Sequence, residues 1–252
     1  MSPWSAAVAC HVCLWGHWGE SSGAHVCCRR CSVHASSHRT SDGEAVFDII
    51  HEDIISRGLE KKAVVSVAWG EDPDPAGVVP RRVLDSIDAQ RRIMLDLDVP
   101  IVYAAGNNAH ISGRTDIDTY PQRFANDADL PLINVGNVDT SGSFSPTSQR
   151  GPALTVSAVG MGITCADSTG TGSHLASGTS FCEWLVPSVI QKMSRLIKML
   201  VAAPQVAGLL AYFLSLNTVP FDTGTGSLAQ NVKNFLRNTA SRSRVQGGPN
   251  VA

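Results

Sequence analysis

From Glu44 onward the sequence alternates between short β-branched runs and amphipathic stretches, and this alternation constrains the fold more than any other feature. The runs at residues 63–68 and 99–105 have the continuous apolar character of strands that are buried on both faces. Apolar runs at residues 130–138 and 154–159 predict two further strands. Strands that alternate with helices pack as a mostly parallel sheet with helices on its faces. The sequence therefore predicts an α/β fold.

Four amphipathic or apolar stretches predict the helices of this fold. The first is expected to place six apolar side chains on one face: Ala45, Val46, Ile49, Ile50, Ile54 and Ile55. Residues 83–97 predict a second, amphipathic helix. Residues 206–216 are apolar on nearly every side, which is typical of a central buried helix. Residues 227–238 predict a closing surface helix that Ser227 caps.

The first forty residues have a different character, with neither helical nor strand periodicity. Five of the seven cysteines lie before residue 32, and four of them have the spacing of a four-cysteine zinc site: Cys10, Cys13, Cys28 and Cys31. The alternative is that this Cys/His-rich segment is not native to the fold. We therefore predict an unassigned segment at residues 1–40 and a folded domain at residues 41–252.

Charge and hydropathy exclude several classes of partner. The formal net charge is −2, so neither nucleic acid nor an anionic membrane is expected as a partner. No apolar run reaches the ~18 residues needed to cross a bilayer. Residues 1–16 lack a basic start and a continuous apolar stretch, so no secretory signal is predicted and the localisation stays open.

Two stretches near the end of the chain carry the most specific motif. One is Gly178-Thr179-Ser180-Phe181, and the other is Ala-Ala-Pro-Gln-Val-Ala-Gly-Leu at residues 202–209. Joined, they closely resemble the Gly-Thr-Ser-x-Ala-x-Pro-x-Val-Ala-Gly signature of subtilisin-like serine proteases. The resemblance implies that Ser180 is the nucleophile and stands at the N-terminus of a buried helix. A hydroxyl is a weak nucleophile, so it needs this presentation and an adjacent base.

A second resemblance concerns residues 102–107, Val-Tyr-Ala-Ala-Gly-Asn, which are similar to the Ala-Ala-Gly-Asn motif of the same family. It implies that the amide of Asn107 helps to form the oxyanion hole. That role needs a neutral donor, fixed before the reaction, where the negative oxygen of the tetrahedral intermediate develops. The alternative is that Asn107 is a turn residue after a strand, helped by Gly106 and Asn108.

The substrate cleft is implied by two short segments. Ser-Val-Ala-Trp-Gly at residues 66–70 looks like the family strand that pairs with the backbone of a bound peptide, with Ala68 where serine is usual. Trp69 could equally be a core aromatic residue. The resemblance gives six substrate-binding residues in two walls: Ala68, Trp69 and Gly70, then Ala104, Ala105 and Gly106. Tyr120-Pro121 and Phe144-Ser145 match positions that support the fold rather than the chemistry.

The aspartate and histidine motifs of the family are not recognisable. No aspartate precedes Asp42, so the N-terminal part of the family fold is expected to be missing. Gly-Ala-His-Val at residues 23–26 resembles the middle of the histidine motif, but Ser22 then occupies the catalytic position. His17 lies at roughly the right distance before Asn107 but lacks supporting neighbours. The resemblance therefore covers about residues 41–240.

Residues 182–201 interrupt the serine motif, and two interpretations are open. The segment is either a genuine amphipathic insertion or a translated intron. Its codons can encode a splice donor, a branch site and an acceptor in frame. Removal of the sequence between this donor and this acceptor would give Gly-Thr-Ser-Phe-Ser-Ala-Pro-Gln-Val-Ala-Gly, an intact family motif.

Together these features predict a fragment of a serine endopeptidase domain that cleaves peptide bonds through an acyl-enzyme and is inactive as the chain stands. A polypeptide is the expected substrate, with no cofactor or metal and with a monomeric state. One alternative is a non-catalytic, subtilase-like binding protein that keeps the cleft. The other is an N-terminal zinc-binding module.

Overall fold

The computed structural model describes residues 8–14, 31–36, 43–74, 76–79, 81–127, 129–166, 173–176, 202–224 and 226–239. Its helices are α1 (Gly43–Ser56), α2 (Arg81–Arg91), α3 (Ala202–Leu214) and α4 (Leu228–Thr239). Its strands are β1 (Val8–Leu14), β2 (Cys31–Ser36), β3 (Ala63–Val67), β4 (Ile101–Ala104), β5 (Ile133–Val138), β6 (Val156–Val159), β7 (Ile163–Ala166) and β8 (Ser173–Ala176). A π-helical turn (Arg92–Asp96) extends α2, and a 3₁₀ helix (Gln122–Asn126) precedes β5.

The central sheet has the strand order β2-β1-β3-β4-β5-β6. Strands β3 to β6 are parallel, whereas β1 pairs antiparallel with β3 and β2 pairs antiparallel with β1. Strands β7 and β8 form a separate antiparallel pair. The predicted α/β fold with a mostly parallel sheet is therefore confirmed.

Residues 1–40 show no strand periodicity, yet two strands lie among the described residues of this segment, β1 and β2. Strand β1 extends the central sheet, with Cys10 opposite Val67 and Cys13 opposite Val64. Sheet pairing uses the backbone N–H and C=O groups that every non-proline residue carries, so it needs no apolar alternation in the sequence. The boundary between an unassigned segment and a domain at residue 40 stays a prediction.

Both faces of the sheet are covered, and this explains the continuous apolar runs in the sequence. Every residue of β3, β4 and β5 is buried. One core lies on the face toward α1 and α2 and includes Phe47, Ile93 and Tyr103. The other lies on the face toward α3 and α4 and includes Val102 and Leu210. Burial of each large apolar side chain of this kind contributes about 1.5–3 kcal/mol relative to exposure.

Two helices bury narrower stripes than their sequences predict. In α1 the buried residues are Phe47, Ile50 and Ile54, whereas Ile49 and Ile55 are each 47% exposed. Phe47 defines the stripe because it packs in the core, and Ile50 and Ile54 follow it at helical spacing. Helix α3 is likewise not buried on every side, since Tyr212 is 49% exposed.

The predicted cap of α4 is also different. The backbone N–H of Leu228 donates to Oδ1 of Asp98 at 2.9 Å, so a distant carboxylate caps the helix. The hydroxyl of Ser227 donates instead to the carbonyl of Met94 at 3.4 Å. Asp98 also pairs with Lys61 at 3.2 Å. A negative charge at a helix N-terminus is favourable, which explains why Asp98 replaces the serine.

Candidate active site

The two predicted cleft walls lie at the same edge of the sheet. Residues 68–70 follow directly after β3, and residues 104–106 begin at the last residue of β4. The last paired positions of these parallel strands are Val67 and Tyr103. Open α/β sheets bind ligands in crevices beyond the carboxyl ends of their strands, which is where these walls lie.

Gln122 bridges the two walls. Its Nε2 donates to the carbonyl of Trp69 at 2.9 Å and to the carbonyl of Ala104 at 3.2 Å. The residue is only 2% exposed, and a Cβ atom on Gly70 would lie 2.5 Å from the same nitrogen. Gly70 therefore has to lack a side chain where the amide of Gln122 enters. Asn134 fixes the Gln122 backbone, because its Nδ2 donates to the carbonyl of Gln122 at 2.8 Å.

The ring of Trp69 packs against the core rather than standing in the cleft. It is partly buried, and its centroid lies 6.4 Å from that of Phe47. Its Nε1 is buried without a hydrogen-bond partner among the described residues. The side chain thus matches the core interpretation, while the carbonyl of Trp69 points to Gln122; its role in binding substrate stays a prediction.

Gly106 and Asn107 form the turn that follows β4. Gly106 has a φ of 106°, a conformation that glycine adopts far more easily than other residues. Asn107 is 7% exposed, and its carbonyl accepts a hydrogen bond from Nδ1 of His110 at 3.2 Å. The backbone N–H of Ala105 donates to the carbonyl of Val135 at 3.0 Å. The predicted oxyanion donor is therefore a buried polar residue on a turn that is tied to the sheet.

Gln149 packs behind this turn. Its backbone N–H donates to the carbonyl of Gly106 at 3.0 Å, and its side-chain Oε1 would lie 2.1 Å from a Cβ atom on Gly106. Its Nε2 donates to the carbonyls of Arg114 and Asp116 at 3.0 and 2.8 Å, and to Oδ1 of Asp118 at 2.7 Å. The side chain is completely buried. Gln149 thus connects the Asn107 turn to the loop at residues 114–118.

Arg114 is the charged centre of that loop. Its Nε and Nη2 donate to Asp118 at 2.6 and 2.9 Å, and its guanidinium also donates to Asp72 beyond the first wall. Hydrogen bonds to Asp118 and Asp72 raise the pKa of Arg114. Burial alone would raise the pKa of Asp118, but hydrogen bonds from Arg114 and Gln149 outweigh it and lower that pKa. The carboxylate is therefore charged at neutral pH and keeps Gln149 anchored.

The first turn of α3 lies at the same edge of the sheet. Nε2 of Gln205 donates to the carbonyl of Val159, the last residue of β6, at 2.8 Å. Pro204 is the third residue of α3 as described, and proline is tolerated in the first turn of a helix. The second half of the split serine motif therefore begins where strands β3 to β6 end.

Several predicted site residues lie outside the described residues. These are Ser180, the interrupting segment at residues 182–201, the histidine candidates His17 and His25, and Ser22. Cys28 of the predicted zinc site lies outside them as well. No group of metal-binding side chains occurs within the described part of the chain, and the zinc site stays a prediction. Within the same part of the chain, no helix has the length and hydropathy needed to cross a membrane.

Sequence reasoning missed the residues that support the two walls: Gln122, Asn134, Gln149 and Arg114. Amides and guanidinium groups are usually exposed, so the pattern of a single sequence gives no signal that they are buried. Glycines at the ends of strands offered an indirect signal, because glycine often marks close approach by another group. Gly70 and Gly106 are both of this kind.

Comparison with solved structures identifies proteins of similar fold. Among solved structures, a cold-adapted subtilisin-like serine proteinase shares 22% sequence identity with the chain at a TM-score of 0.53. The alignment covers 84% of this chain and 60% of the proteinase, so the chain spans less than two thirds of that protein. The Prenylagaramide maturation protease PagA shares 19% identity at a TM-score of 0.48, over 79% of this chain and 58% of that one.

Sequence comparison gives the family. A search of curated proteins found no match. The sequence profile of the subtilase family, Peptidase_S8, matches residues 19–183, which is more than half of the 252 residues. The match includes both walls, the Asn107 turn and Ser180. The chain therefore belongs to the subtilase family of serine peptidases.

Proposed function

We propose that the chain is an incomplete peptidase domain of a serine endopeptidase, with Ser180 as nucleophile and Asn107 as oxyanion donor. One observation carries the proposal: the Asn107 turn and the first turn of α3 lie at the same carboxyl edge of the parallel sheet, beside the two walls. Nucleophile and oxyanion donor must meet at one carbonyl carbon, so they have to lie at one edge.

The chemistry is an acyl transfer. The Ser180 hydroxyl attacks the substrate carbonyl carbon while a general base takes its proton. The C–N bond then breaks, the base passes that proton to the leaving amine, and water hydrolyses the acyl-enzyme. The tetrahedral intermediate carries its negative charge on the former carbonyl oxygen. A donor that is already fixed stabilises that charge without reorganisation. Burial of Asn107 and the anchoring of Gly106 by Gln149 support this role.

The walls suit an extended peptide. Strands β3 and β4 stop pairing with each other after Val67 and Tyr103, and Gln122 holds the segments that follow. The carbonyls of Trp69 and Ala104 accept from Gln122. A substrate strand would therefore pair with the other backbone groups of the walls, which is a common mode of peptide recognition. The proposed substrate is therefore a polypeptide bound in extended form.

We propose further that the chain is inactive as it stands. The sequence offers no aspartate before Asp42 and no intact histidine motif. A serine peptidase that lacks its base keeps only the residual rate due to its oxyanion hole and substrate binding. The family match ends at residue 183, just inside the segment that interrupts the serine motif, and this supports the segment being foreign to the domain.

A second candidate is a non-catalytic binding protein with the same cleft. The observation that favours it is the cleft itself, since Gln122 and Gln149 hold the walls whether or not a base is present. Such a protein would bind an extended peptide and release it unchanged. The zinc-binding module is supported by sequence spacing alone.

The transcript decides between the two candidates. We expect the messenger RNA to lack the codons for the interrupting segment and to encode aspartate and histidine motifs upstream. The protein that it encodes should hydrolyse an unstructured polypeptide such as casein, and Ser180→Ala should abolish that hydrolysis. A transcript identical to the present reading frame, together with peptide binding and no hydrolysis, would contradict the peptidase proposal and favour the binding protein.

A further inference from the structure

We propose that Gln149 is a positioning residue for the oxyanion donor: it sets the position of the Gly106–Asn107 turn and thereby of the Asn107 amide. The inference rests on the proposed function, since it concerns the same site. It adds a residue that touches neither substrate nor nucleophile and acts through its neighbour. Three groups of contacts carry it.

The first group joins Gln149 to Gly106 on two sides. The backbone N–H of Gln149 holds the Gly106 carbonyl at 3.0 Å. Its side-chain Oε1 lies where a Cβ atom of residue 106 would be, with only 2.1 Å between the two positions. Movement of Gly106 away from Gln149 would therefore break a hydrogen bond, and a side chain at position 106 would collide with Oε1. Because Asn107 is the next residue, its position follows from that of Gly106.

The second group fixes the orientation of the Gln149 amide. Its Nε2 faces three acceptors: the carbonyls of Arg114 and Asp116 and Oδ1 of Asp118. A rotation that exchanged oxygen and nitrogen would place Oε1 against those three oxygens. The Oε1 atom must therefore face Gly106, where it is buried without a donor among the described residues. A buried acceptor in this state is costly and requires an explanation, which a positioning role supplies.

The third group anchors the acceptors. Asp118 is held by two hydrogen bonds from Arg114, whose guanidinium also pairs with Asp72 beyond the first wall. One charged cluster thus links the segment after the first wall to the amide behind the second wall. Charge-assisted hydrogen bonds are stronger than neutral ones, so they suit a support that must not shift when substrate binds.

If Gln149 positions Asn107, its loss should mainly affect the binding of negative charge at the oxyanion position. An oxyanion donor works only when its N–H lies within hydrogen-bond distance of the developing anion, and misplacement by about 1 Å is costly. Loss of the Gln149 side chain should therefore weaken recognition of an anionic oxygen more than recognition of the peptide as a whole. A merely structural role would weaken both equally.

Two peptides of identical sequence test this on the full chain without requiring turnover. One ends in a carboxylate, whose oxygen carries negative charge, and the other ends in a neutral carboxamide. Dissociation constants are measured by fluorescence anisotropy, and the ratio of carboxamide to carboxylate Kd reports the oxyanion site. We expect a ratio of about 10 for the wild type, because a tenfold difference in Kd corresponds to the free energy of about one charge-assisted hydrogen bond. Asn107→Ala should reduce it to about 1, and Gln149→Met to about 2 or 3.

Gln122→Met is the matched control. Gln122 is also a buried glutamine that packs on a wall glycine, but its side chain donates to the carbonyls of Trp69 and Ala104 rather than to the Asn107 turn. We expect this variant to weaken both peptides alike and to keep the ratio near 10. In the double variant Asn107→Ala, Gln149→Met the ratio should equal that of Asn107→Ala alone, because Gln149 acts through Asn107.

The outcomes separate the two proposals. If the wild type binds neither peptide, or if Asn107→Ala leaves the ratio unchanged, the proposed function fails and this inference fails with it. If Asn107→Ala removes the preference and Gln149→Met keeps the wild-type ratio, only the inference is overturned. Should Gln149→Met not fold, Asp118→Asn decides, since it removes the charge that anchors Gln149. A ratio lowered about threefold supports the inference, and an unchanged ratio overturns it.

Discussion

Lys233 gives a prediction about stability that is independent of catalysis. The residue lies in α4, is 3% exposed, and donates from Nζ to the carbonyl of Ala125 at 2.8 Å. Burial lowers its pKa from 10.5 to about 8, and Arg237 adds to the shift while Asp127 opposes it. The folded state therefore binds the lysine proton less tightly than the unfolded state. Stability should rise with pH from about 8 to about 10.5 and lose this gain below pH 8.

The size of the effect follows from the shift. A pKa lowered by this amount corresponds to about 3 kcal/mol, and we take about 2 kcal/mol because buried charges relax and recruit water. Lys233→Met removes that cost but leaves the Ala125 carbonyl without its donor, which costs about 1 kcal/mol. The variant should thus be more stable than the wild type by about 1 kcal/mol at pH 7. At pH 10.5 it should be less stable by about 1 kcal/mol, so the sign of the difference reverses.

Urea unfolding followed by intrinsic fluorescence, at pH 7 and at pH 10.5, measures both differences. Lys62→Met is the matched control, because Lys62 also donates to a backbone carbonyl, that of Gly58 at 3.3 Å, but is exposed. We expect the control to show no reversal. If Lys233→Met is destabilising by the same amount at both pH values, burial of the protonated lysine has no free-energy cost and the reasoning is refuted.

Three further predictions concern the site and the interrupting segment. The chain as it stands should hydrolyse casein far more slowly than a complete subtilase, because its base is missing; turnover that a serine-directed phosphonate abolishes, with labelling at Ser180, would contradict this. Gly106→Ala should destabilise by about 1–3 kcal/mol in urea unfolding because of its positive φ and the contact with Gln149, whereas Gly208→Ala, at an open helical position, should stabilise by about 0.5–1 kcal/mol; equal effects would refute the strain argument. Replacement of residues 182–202 by one serine should raise the melting temperature, since it shortens the connection between Ser180 and α3 and lowers the entropic cost of closing it; an unchanged temperature would indicate a true insertion.

The sequence predicted the parallel sheet because its signals are local. Residues 63–67 and 101–104 form buried strands with the continuous apolar runs that two covered faces require. Helix α4 was placed almost to the residue by its apolar periodicity. Its cap was not, because Asp98 reaches Leu228 from 130 positions earlier in the chain. A contact between residues so far apart leaves no trace in local periodicity.

The residues of the site likewise fall into those that the sequence predicted and those that it did not. Asn107 and the wall segments could be named from short motifs, and the structure places both walls at one edge. Gln122 and Gln149 could not, because what makes them important is burial against Gly70 and Gly106. Strand β1 was missed for a related reason: its place in the sheet depends on pairing with β3 and not on its own composition.

The most direct test of the central claim is the kcat of Asn107→Ala in the complete, uninterrupted enzyme that the transcript encodes. The amide acts on charge that exists mainly in the transition state, so kcat should fall while KM changes little. The expected loss is about 10²–10³-fold, the size known for the corresponding donor in a subtilisin. Asn108→Ala serves as the control and should leave kcat within about threefold of the wild type. An Asn107→Ala enzyme with an unchanged kcat would show that Asn107 is only a turn residue and would contradict the proposed active site.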